Sequence, residues 1–496
     1  MSKLLRANLP VAATFLLILQ LFNNSSAQKI SATIFLDANA KKAFVDGKIH
    51  DINVSETPRN LAFLKDYAAI DNLGERIADL ALMDGDGREV GFRKLIPGEF
   101  LAEKPFVSGR YAVDLTPRKD PAASSHVSWI RDDSALIFLG DLLPQFSSNG
   151  PVGVDVQFKL PTGWEIYTTE KDLGGLSFQV ANATGAVFVA GKGMRNQTIN
   201  SANPAIKLFT SGDWQFTDED AAGMVGEIFA SYRRVFGADP ATGMAVVLLK
   251  FPVAVNNGSW EADTRGSTVS IVSSDMPFKT QALQRLHEQL RHEMFHLWIP
   301  NGIHLTGRYD WFYEGFALYF SLKNGVLLNR IRFDDLLDTL SRAYTIDRAQ
   351  DPRMSLIDAS LARWRGGNII VYARGLITAF LCDVALLNSS GRKADVSVVL
   401  REIFNKYRNT KELVDGTEAV LKVLASHPEL IPIIDKYIKG NSSIDWTDDL
   451  QKAGILSEEK NYVTALRTVE KPDGRQREIL DRLGYNSWRK VGIPSK

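Results

Sequence analysis

The spacing of hydrophobic and polar positions changes along the chain and predicts two kinds of structure. From about residue 30 to residue 208, short segments alternate apolar and polar side chains and are rich in β-branched and aromatic residues, as strands are. Val152–Leu160 is one such segment, and the turn cluster 147–151 precedes it. The pattern predicts an antiparallel β domain over residues 28–208.

Beyond about Phe216 the apolar positions recur mostly at helical spacing. A helical segment, Glu219–Phe236, leads to an apolar strand at Ala245–Leu249, and a further strand is predicted at Thr268–Ser273. Longer helical patterns follow, over residues 279–298, 311–323, 332–343, 371–388, 396–407 and 416–425. We therefore expect an α+β multidomain protein, with a second domain over 209–330, an α-helical region over 331–445 and a short tail over 446–496.

The first residues have the composition of a secretory signal. Lys3 and Arg6 precede an apolar run over residues 11–22, and the small residues Ser25 and Ala27 follow it. A helix of about 12 residues spans about 18 Å, well short of the roughly 30 Å hydrocarbon core of a bilayer. The sequence therefore predicts a signal peptide over 1–27, export to the periplasm or the extracellular space, and no membrane insertion after cleavage. No later stretch is expected to reach transmembrane length.

Composition narrows the classes of partner and of metal site. Among 496 residues, Lys plus Arg is 58 and Asp plus Glu is 58, so no broad positive field exists to attract nucleic acid. Cys382 is the only cysteine, which excludes an intramolecular disulfide and cysteine-based metal sites. Of seven histidines, His287, His292 and His296 fall close together. His287 is expected on a helix surface.

Residues 292–296 read His-Glu-Met-Phe-His, an H-E-x-x-H pentapeptide. The helix expected there has a core-facing apolar stripe made of Leu283, Leu286, Leu290, Met294 and Leu297. His292 and His296 stand one turn apart on the opposite side, as two ligands of one tetrahedral zinc must. Pro300 limits the helix to about Ile299. The alternative is a surface helix with two solvated histidines.

A catalytic zinc keeps three protein ligands and one water, and Glu314 is the best candidate for the third ligand. It lies in Trp-Phe-Tyr-Glu-Gly, residues 311–315, and a carboxylate among aromatic side chains is costly to bury without a cation. Asp310 is expected to N-cap the helix that follows, and Asn324-Gly325 to end it. An ordinary surface glutamate is the alternative for Glu314.

These motifs resemble the gluzincin metallopeptidases, and within them the glycyl aminopeptidase family, peptidase family M61, which is related to the M1 aminopeptidases. The resemblance is strong over 285–320, in the run from His292 to Trp298 and in the segment 311–316, and thin from about 110 to 455. It implies a thermolysin-like zincin catalytic domain over 209–330, completed by the helical region 331–445. It also implies one zinc ion per chain, bound by His292, His296 and Glu314, with Glu293 as general base and peptides as substrates.

The resemblance extends to two further side chains. Tyr372, in Val-Tyr-Ala-Arg-Gly at 371–375, matches the family tyrosine that hydrogen-bonds the oxyanion, and Arg374 is expected to keep the site cationic. Glu261, in Gly-Ser-Trp-Glu at 258–261, matches loosely the glutamate that holds the free α-amino group of a substrate. The alternatives are an aromatic residue at a helix start for Tyr372 and an ordinary loop glutamate for Glu261.

The sequence also departs from the family. The spacing from His296 to Glu314 is one residue shorter than in many relatives, and Leu318 stands where relatives often carry an acidic residue that orients a histidine. The tail has no room for the PDZ domain that commonly ends the family.

We expect an exported zinc metallopeptidase that acts as an aminopeptidase on peptides and binds no nucleic acid. The alternatives are an endopeptidase of the same mechanism and a non-catalytic secreted protein that keeps the peptidase fold. The sequence leaves the oligomeric state open.

Overall fold

A computed structural model of the chain describes residues 29–50, 59–145, 153–200, 204–241, 243–391, 393–460 and 463–485. The expected signal peptide over 1–27 lies outside the described residues. The described chain contains several β-sheets in its first part and mainly helices in its second part, so the expectation of an α+β protein is confirmed.

The first part of the chain forms three sheets, whose strands we number in chain order. The largest consists, from edge to edge, of β13 (Lys171–Gly174), β14 (Ser177–Val180), β11 (Val154–Lys159), β1 (Lys29–Asp37), β2 (Lys42–His50), β8 (Ser108–Asp114), β4 (Ile77–Met83) and β5 (Glu89–Val90). A second consists of β12 (Glu165–Thr168), β15 (Val187–Gly191), β10 (Ser134–Phe138) and β9 (Trp129–Ile130). A third consists of β3 (Asn60–Ala62), β7 (Glu99–Ala102) and β6 (Phe92–Ile96).

The alternation in the sequence corresponds to one buried face of these sheets. In β1 the alternate residues Ile30, Ala32, Ile34 and Leu36 are all buried, because side chains of a strand point to opposite faces in turn. One pairing differs from the expectation of an antiparallel domain. Strands β1 and β11 are parallel, with Ile30 opposite Val154, a long-range pairing that alternation alone does not reveal.

A five-stranded sheet follows, with β16 (Arg195–Ile199), β17 (Ile206–Thr210), β18 (Met244–Lys250), β20 (Thr268–Ser273) and β19 (Trp260–Arg265) in that order. Strands β17, β18 and β20 are parallel, and the edge strands β16 and β19 are antiparallel to their neighbours. This sheet begins at Arg195, ahead of the boundary that the sequence placed at residue 209. Strand-like spacing continues from one sheet into the next, so it does not mark where the first part ends.

The helices, also numbered in chain order, are α1 (Leu139–Leu142), α2 (Asp218–Phe236), α3 (Lys279–His296), α4 (Asp310–Tyr313), α5 (Gly315–Leu327), α6 (Phe333–Arg348), α7 (Leu356–Leu361), α8 (Asn368–Ser389), α9 (Val396–Tyr407), α10 (Gly416–Leu424), α11 (Ile431–Ile433), α12 (Thr447–Lys452) and α13 (Gly474–Arg482). Two short pairs of strands complete the fold, β21 (Leu305–Thr306) with β22 (Val414–Asp415), and β23 (Ile455–Lys460) with β24 (Val463–Thr468). The tail is attached to the helical region, because the Leu466 amide donates to the Ser341 hydroxyl of α6 at 3.1 Å.

Helix α3 is fixed to the core by its predicted stripe. Leu286, Leu290, Met294 and Leu297 are buried, and Leu283 packs against the same core. The helix ends at His296, ahead of Pro300, as that proline requires. His287 contradicts its expected surface position: it is 2% exposed, and its Nε2 lies 3.2 Å from Glu227 Oε2 on α2. Its burial depends on α2, which the pattern of α3 alone does not report.

Helix α8 corrects the expectation that no later stretch reaches transmembrane length. Its 22 residues are long and apolar enough to cross a bilayer, but 83% of its most apolar stretch is buried inside the protein. A buried core helix is apolar on all sides for that reason. Cys382 lies on this helix and is buried in the core. Its apolar neighbours in the sequence predict this packing role.

One buried contact joins the first sheets to edge strand β19. The Arg265 guanidinium lies 3.8 Å from the ring centres of both Tyr67 and Phe138, and its Nε lies 2.8 Å from Asp263 Oδ2. Asp263 also accepts from the Tyr67 hydroxyl at 3.3 Å and lies 3.4 Å from His126 Nδ1. Strand β19 is therefore held by charges and rings from the β domain.

The Asp263 contacts predict a pH-dependent contribution to stability. Burial alone would raise the pKa of the Asp263 carboxyl, but the Arg265 charge and the His126 contact outweigh burial and hold that pKa well below its ordinary value. We expect Asp263→Asn to lower the free energy of unfolding by about 3 kcal/mol at pH 7, as measured by urea denaturation. Because the folded pKa is lower than the unfolded pKa of about 3.9, this difference is complete above that pH and shrinks as the pH falls below it.

The control for this experiment is Asp86→Asn, which removes an exposed partner of Arg88 and should change stability by less than about 0.5 kcal/mol. An equal destabilisation by Asp263→Asn at pH 3 and at pH 7 would contradict the assignment.

Candidate active site

Three side chains that are distant in sequence converge at the end of α3. His292 Nε2 and His296 Nε2 lie 3.3 Å apart, and Glu314 Oε2 lies 3.3 Å from the first and 3.7 Å from the second. Among the described residues they form the group of His, Cys, Asp and Glu whose ligand atoms are close enough to hold one metal ion. His296 and Glu314 are each 7% exposed. His292 is partly exposed, so the cluster is largely buried and still reaches solvent at this side chain.

The spacing of these atoms fits zinc. Bonds of about 2.0–2.1 Å in a tetrahedron place ligand atoms about 3.3–3.4 Å apart, close to the three separations observed here. Two imidazoles and one carboxylate leave a fourth position open, as a catalytic rather than a structural zinc site requires. The donor set has no sulfur, because the one cysteine, Cys382, is buried elsewhere in α8.

Glu314 lies at the junction of α4 and α5, where its backbone angles remain helical. A Cβ added to Gly315 would lie 2.6 Å from the Cα of Gly375. The start of α5 and the backbone of α8 therefore approach at a distance that only glycines permit. Asp310 does not cap the helix as expected. It is the first residue of α4, and its Oδ1 accepts from Arg363 Nη1 at 2.6 Å.

The expected helix end at Asn324-Gly325 is also wrong, because α5 continues to Leu327. A side chain on Gly325 would overlap the Arg291 guanidinium. The glycine therefore permits close packing of α3 against α5, and it does not stop the helix.

The cluster is strongly coupled electrostatically. Burial would lower the pKa of His296, but the Glu314 contact and the Glu293 charge outweigh burial and raise that pKa to about 9. Burial would raise the pKa of Glu314, but the Arg363 charge and the two histidines hold it well below its ordinary range. The buried carboxylate is thus surrounded by two imidazoles and a guanidinium, which compensate its charge.

The orientation of His296 is fixed by a backbone contact. Its Nδ1 lies 3.1 Å from the carbonyl oxygen of Ile299, which directs Nε2 towards the cluster. Leu318, four residues after Glu314, packs against the core.

Glu293 is held beside the cluster by the edge strand. It is 6% exposed, and the Thr264 hydroxyl of β19 donates to its Oε2 at 2.8 Å. The same hydroxyl lies 3.0 Å from the Glu293 backbone carbonyl. Strand β19 thus fixes the direction of this carboxylate, which the sequence motif alone does not determine.

Tyr372 lies beside the cluster, on the first turns of α8. Its hydroxyl donates to Glu314 Oε2 at 2.8 Å, and its ring centre lies 6.3 Å from that of His292. Burial, and next the Glu314 charge, raise the pKa of Tyr372 well above its ordinary value. The phenol therefore remains a protonated hydrogen-bond donor at neutral pH.

The cation at the site is Arg363 and not Arg374. Arg374 is buried elsewhere, with Nη1 3.0 Å from Asp347 Oδ1 and Nε donating to the Tyr437 carbonyl at 3.1 Å. Arg363 Nη2 lies 3.0 Å from Glu314 Oε1. The sequence signal for Arg363 is weak, because it lies in a short turn, Arg363–Arg365, whose approach to Glu314 depends on the packing of α7 and α8.

Glu261 is not in contact with the cluster. It lies in edge strand β19, opposite Val272 of β20, and by alternation it shares a face with Asp263 and not with Thr264. The Glu261 side chain is half-buried, and no hydrogen bond or ion pair joins it to another of the described residues. Burial raises the pKa of the Glu261 carboxyl, which the nearby His126 charge partly offsets.

No family model matches the sequence, and no curated protein matches it. Solved structures do match the fold. An aminopeptidase N family protein from Idiomarina loihiensis superimposes with a TM-score of 0.70 at 15% identity, over 90% of this chain and 82% of that chain. A mutant M1 zinc metallopeptidase from Deinococcus radiodurans, bound to a Tyr-Ser-Ala substrate, gives 0.55 at 13% identity, over 84% and 95%. The chain is thus similar to M1 aminopeptidases in fold.

Loss of a residue that hydrogen-bonds a metal ligand lowers metal affinity by about 10- to 100-fold. We therefore expect Glu314→Gln, which alters a ligand itself, to weaken zinc binding by at least about 100-fold. Equilibrium competition with a chelator measures this affinity. Glu288→Gln, at an exposed position of α3, is the matched control and should bind zinc as the unmodified protein does. Unchanged affinity in Glu314→Gln would show that Glu314 is not a ligand.

Proposed function

We propose that the protein is an exported zinc metallopeptidase that removes N-terminal residues from peptides. The observation that carries the proposal is the convergence of His292, His296 and Glu314, with Glu293 next to His292 in the chain and Tyr372 in contact with Glu314. The sequence motifs of this protein resemble those of peptidase family M61, and we propose that it has the same thermolysin-like catalytic domain. The similarity in fold to M1 aminopeptidases supports this assignment.

His292, His296 and Glu314 would hold the zinc ion. When bound, zinc polarises the scissile carbonyl and makes a water molecule acidic enough to attack near neutral pH. Glu293 is placed to accept the proton of that water and to give it to the leaving amine. The contact with Thr264 keeps the Glu293 carboxylate in one orientation for both transfers.

Tyr372 is placed to stabilise the charge that develops on the carbonyl oxygen. Its raised pKa keeps the proton on the phenol, so the hydroxyl is available as a donor to an oxyanion. The contact with Glu314 Oε2 shows that this hydroxyl reaches the metal cluster.

The choice of aminopeptidase over endopeptidase depends on Glu261. It is a half-buried carboxylate on the edge strand without a partner among the described residues, and a carboxylate suits the ammonium of a free N-terminus. The Deinococcus neighbour is bound to a Tyr-Ser-Ala substrate, and a short peptide of this kind is the substrate we propose. Export rests on the signal-like residues 1–27, and we propose a periplasmic or extracellular location.

The central experiment is removal of the general base. We expect Glu293→Gln to bind one zinc ion per chain with affinity close to that of the unmodified protein, and to lose at least about 1,000-fold in kcat. Reporter hydrolysis and elemental analysis measure the two properties. A chelator should abolish activity in the unmodified protein, and added zinc should restore it. Activity of Glu293→Gln equal to that of the unmodified protein would show that the measured hydrolysis does not come from this site. Absence of zinc from the unmodified protein would favour the non-catalytic alternative.

A second experiment distinguishes an aminopeptidase from an endopeptidase. Glu261→Gln keeps the shape of the side chain and removes its charge, so kcat/KM on peptides with a free N-terminus should fall by about 100-fold. The unmodified protein should leave N-terminally acetylated peptides intact. Cleavage of acetylated peptides by the unmodified protein, with Glu261→Gln equally active on them, would establish the endopeptidase.

A further inference from the structure

The Arg363 guanidinium is anchored by contacts outside the cluster of His292, His296 and Glu314. Its Nη1 donates to Asp310 Oδ1 at 2.6 Å, and its Nε donates to Asn368 Oδ1 at 3.2 Å. The guanidinium carbon also lies 4.5 Å from the centre of the Trp364 ring. Because the guanidinium is planar and rigid, these contacts fix the direction of its remaining nitrogen, Nη2.

Nη2 contacts both of the side chains that bring oxygen to the cluster. It lies 3.0 Å from Glu314 Oε1 and donates to the Tyr372 hydroxyl oxygen at 3.3 Å. Arg363 is 9% exposed, so these charge-assisted bonds are little weakened by solvent. One nitrogen therefore couples a metal ligand to the phenol opposite it.

The two carboxylate oxygens of Glu314 have different partners. Oε1 faces Arg363, whereas Oε2 faces His292 and His296. With Oε1 engaged by a guanidinium, the carboxylate presents one oxygen to the metal position and leaves space for a fourth ligand.

The contact with Tyr372 determines which way the phenol acts. Because the phenol oxygen accepts a bond from Arg363 Nη2, the hydroxyl proton points elsewhere, here to Glu314 Oε2. The phenol thus acts as a donor on the side of the cluster. A cation next to the phenol oxygen also makes it a stronger donor to a developing negative charge.

We propose that Arg363 is a positioning residue that sets the geometry of both Glu314 and Tyr372 for hydrolysis. This inference rests on the proposed peptidase function. Arg363 acts through these two side chains, and its loss therefore affects metal affinity and turnover together. Neither the H-E-x-x-H motif nor the tyrosine motif contains it.

The test compares Arg363→Lys with the unmodified protein. Lysine keeps the charge but lacks the rigid fork. Because Arg363 is proposed to act through Glu314 and Tyr372, kcat should fall at least about 10-fold while KM changes less than about threefold. The zinc dissociation constant, measured by chelator competition, should rise about 10-fold. Arg365→Lys, an exposed position in the same turn, is the matched control and should behave as the unmodified protein.

A double-mutant cycle separates positioning from a general structural effect. Arg363→Lys should cost less in a Tyr372→Phe background than in the unmodified protein, because the hydroxyl that it positions is already absent. Asn368→Ala, which removes an anchor of Arg363 without leaving a buried charge unpaired, should produce a smaller loss in the same direction. It provides the test if Arg363→Lys does not fold.

Unchanged kcat and zinc affinity in Arg363→Lys, or an equal fold-loss of kcat in the two backgrounds, would overturn the proposal while the peptidase function stands. Absence of zinc binding and hydrolysis in the unmodified protein would instead overturn the proposed function, and the role of Arg363 with it.

Discussion

The site depends on the compensation of one buried charge, the Glu314 carboxylate. A carboxylate with 7% exposure is unstable in a protein interior unless cations and hydrogen bonds replace its lost hydration. His292 and His296 approach one of its oxygens, Arg363 approaches the other, and the Tyr372 hydroxyl completes the set. The residues that satisfy this charge are the residues that a zinc hydrolase needs, so stability and chemistry are linked at one side chain.

The rest of the fold brings these groups within reach of one another. Helix α3 is fixed by its apolar stripe, and the contact of Gly315 with Gly375 allows α8 to deliver Tyr372 to Glu314. Strand β19 orients Glu293 through Thr264 and is itself joined to the β domain by Arg265. The β domain thus contributes to the geometry of the site although it supplies none of the groups in the cluster.

Local sequence patterns were sufficient for features that depend on one element. The period of 3.6 residues placed His292 and His296 on one side of α3, and the aromatic neighbours of Glu314 indicated that its charge needs a cation. Local sequence patterns failed where the role of a residue depends on a distant partner. Arg363, for which the sequence predicted no role, lies at the site in place of Arg374 because of how α7 and α8 pack, which neither segment encodes alone. His287 is buried by α2, and β16 and β17 belong to the five-stranded sheet through long-range pairing.

The proposed hydrolysis depends on a zinc ion at this cluster. Anomalous diffraction at the zinc absorption edge, from crystals of the zinc-loaded protein, locates the ion directly. We expect one strong peak about 2.0–2.2 Å from His292 Nε2, His296 Nε2 and Glu314 Oε2. A zinc-loaded crystal with its peak elsewhere, or with no peak near these atoms, would contradict it.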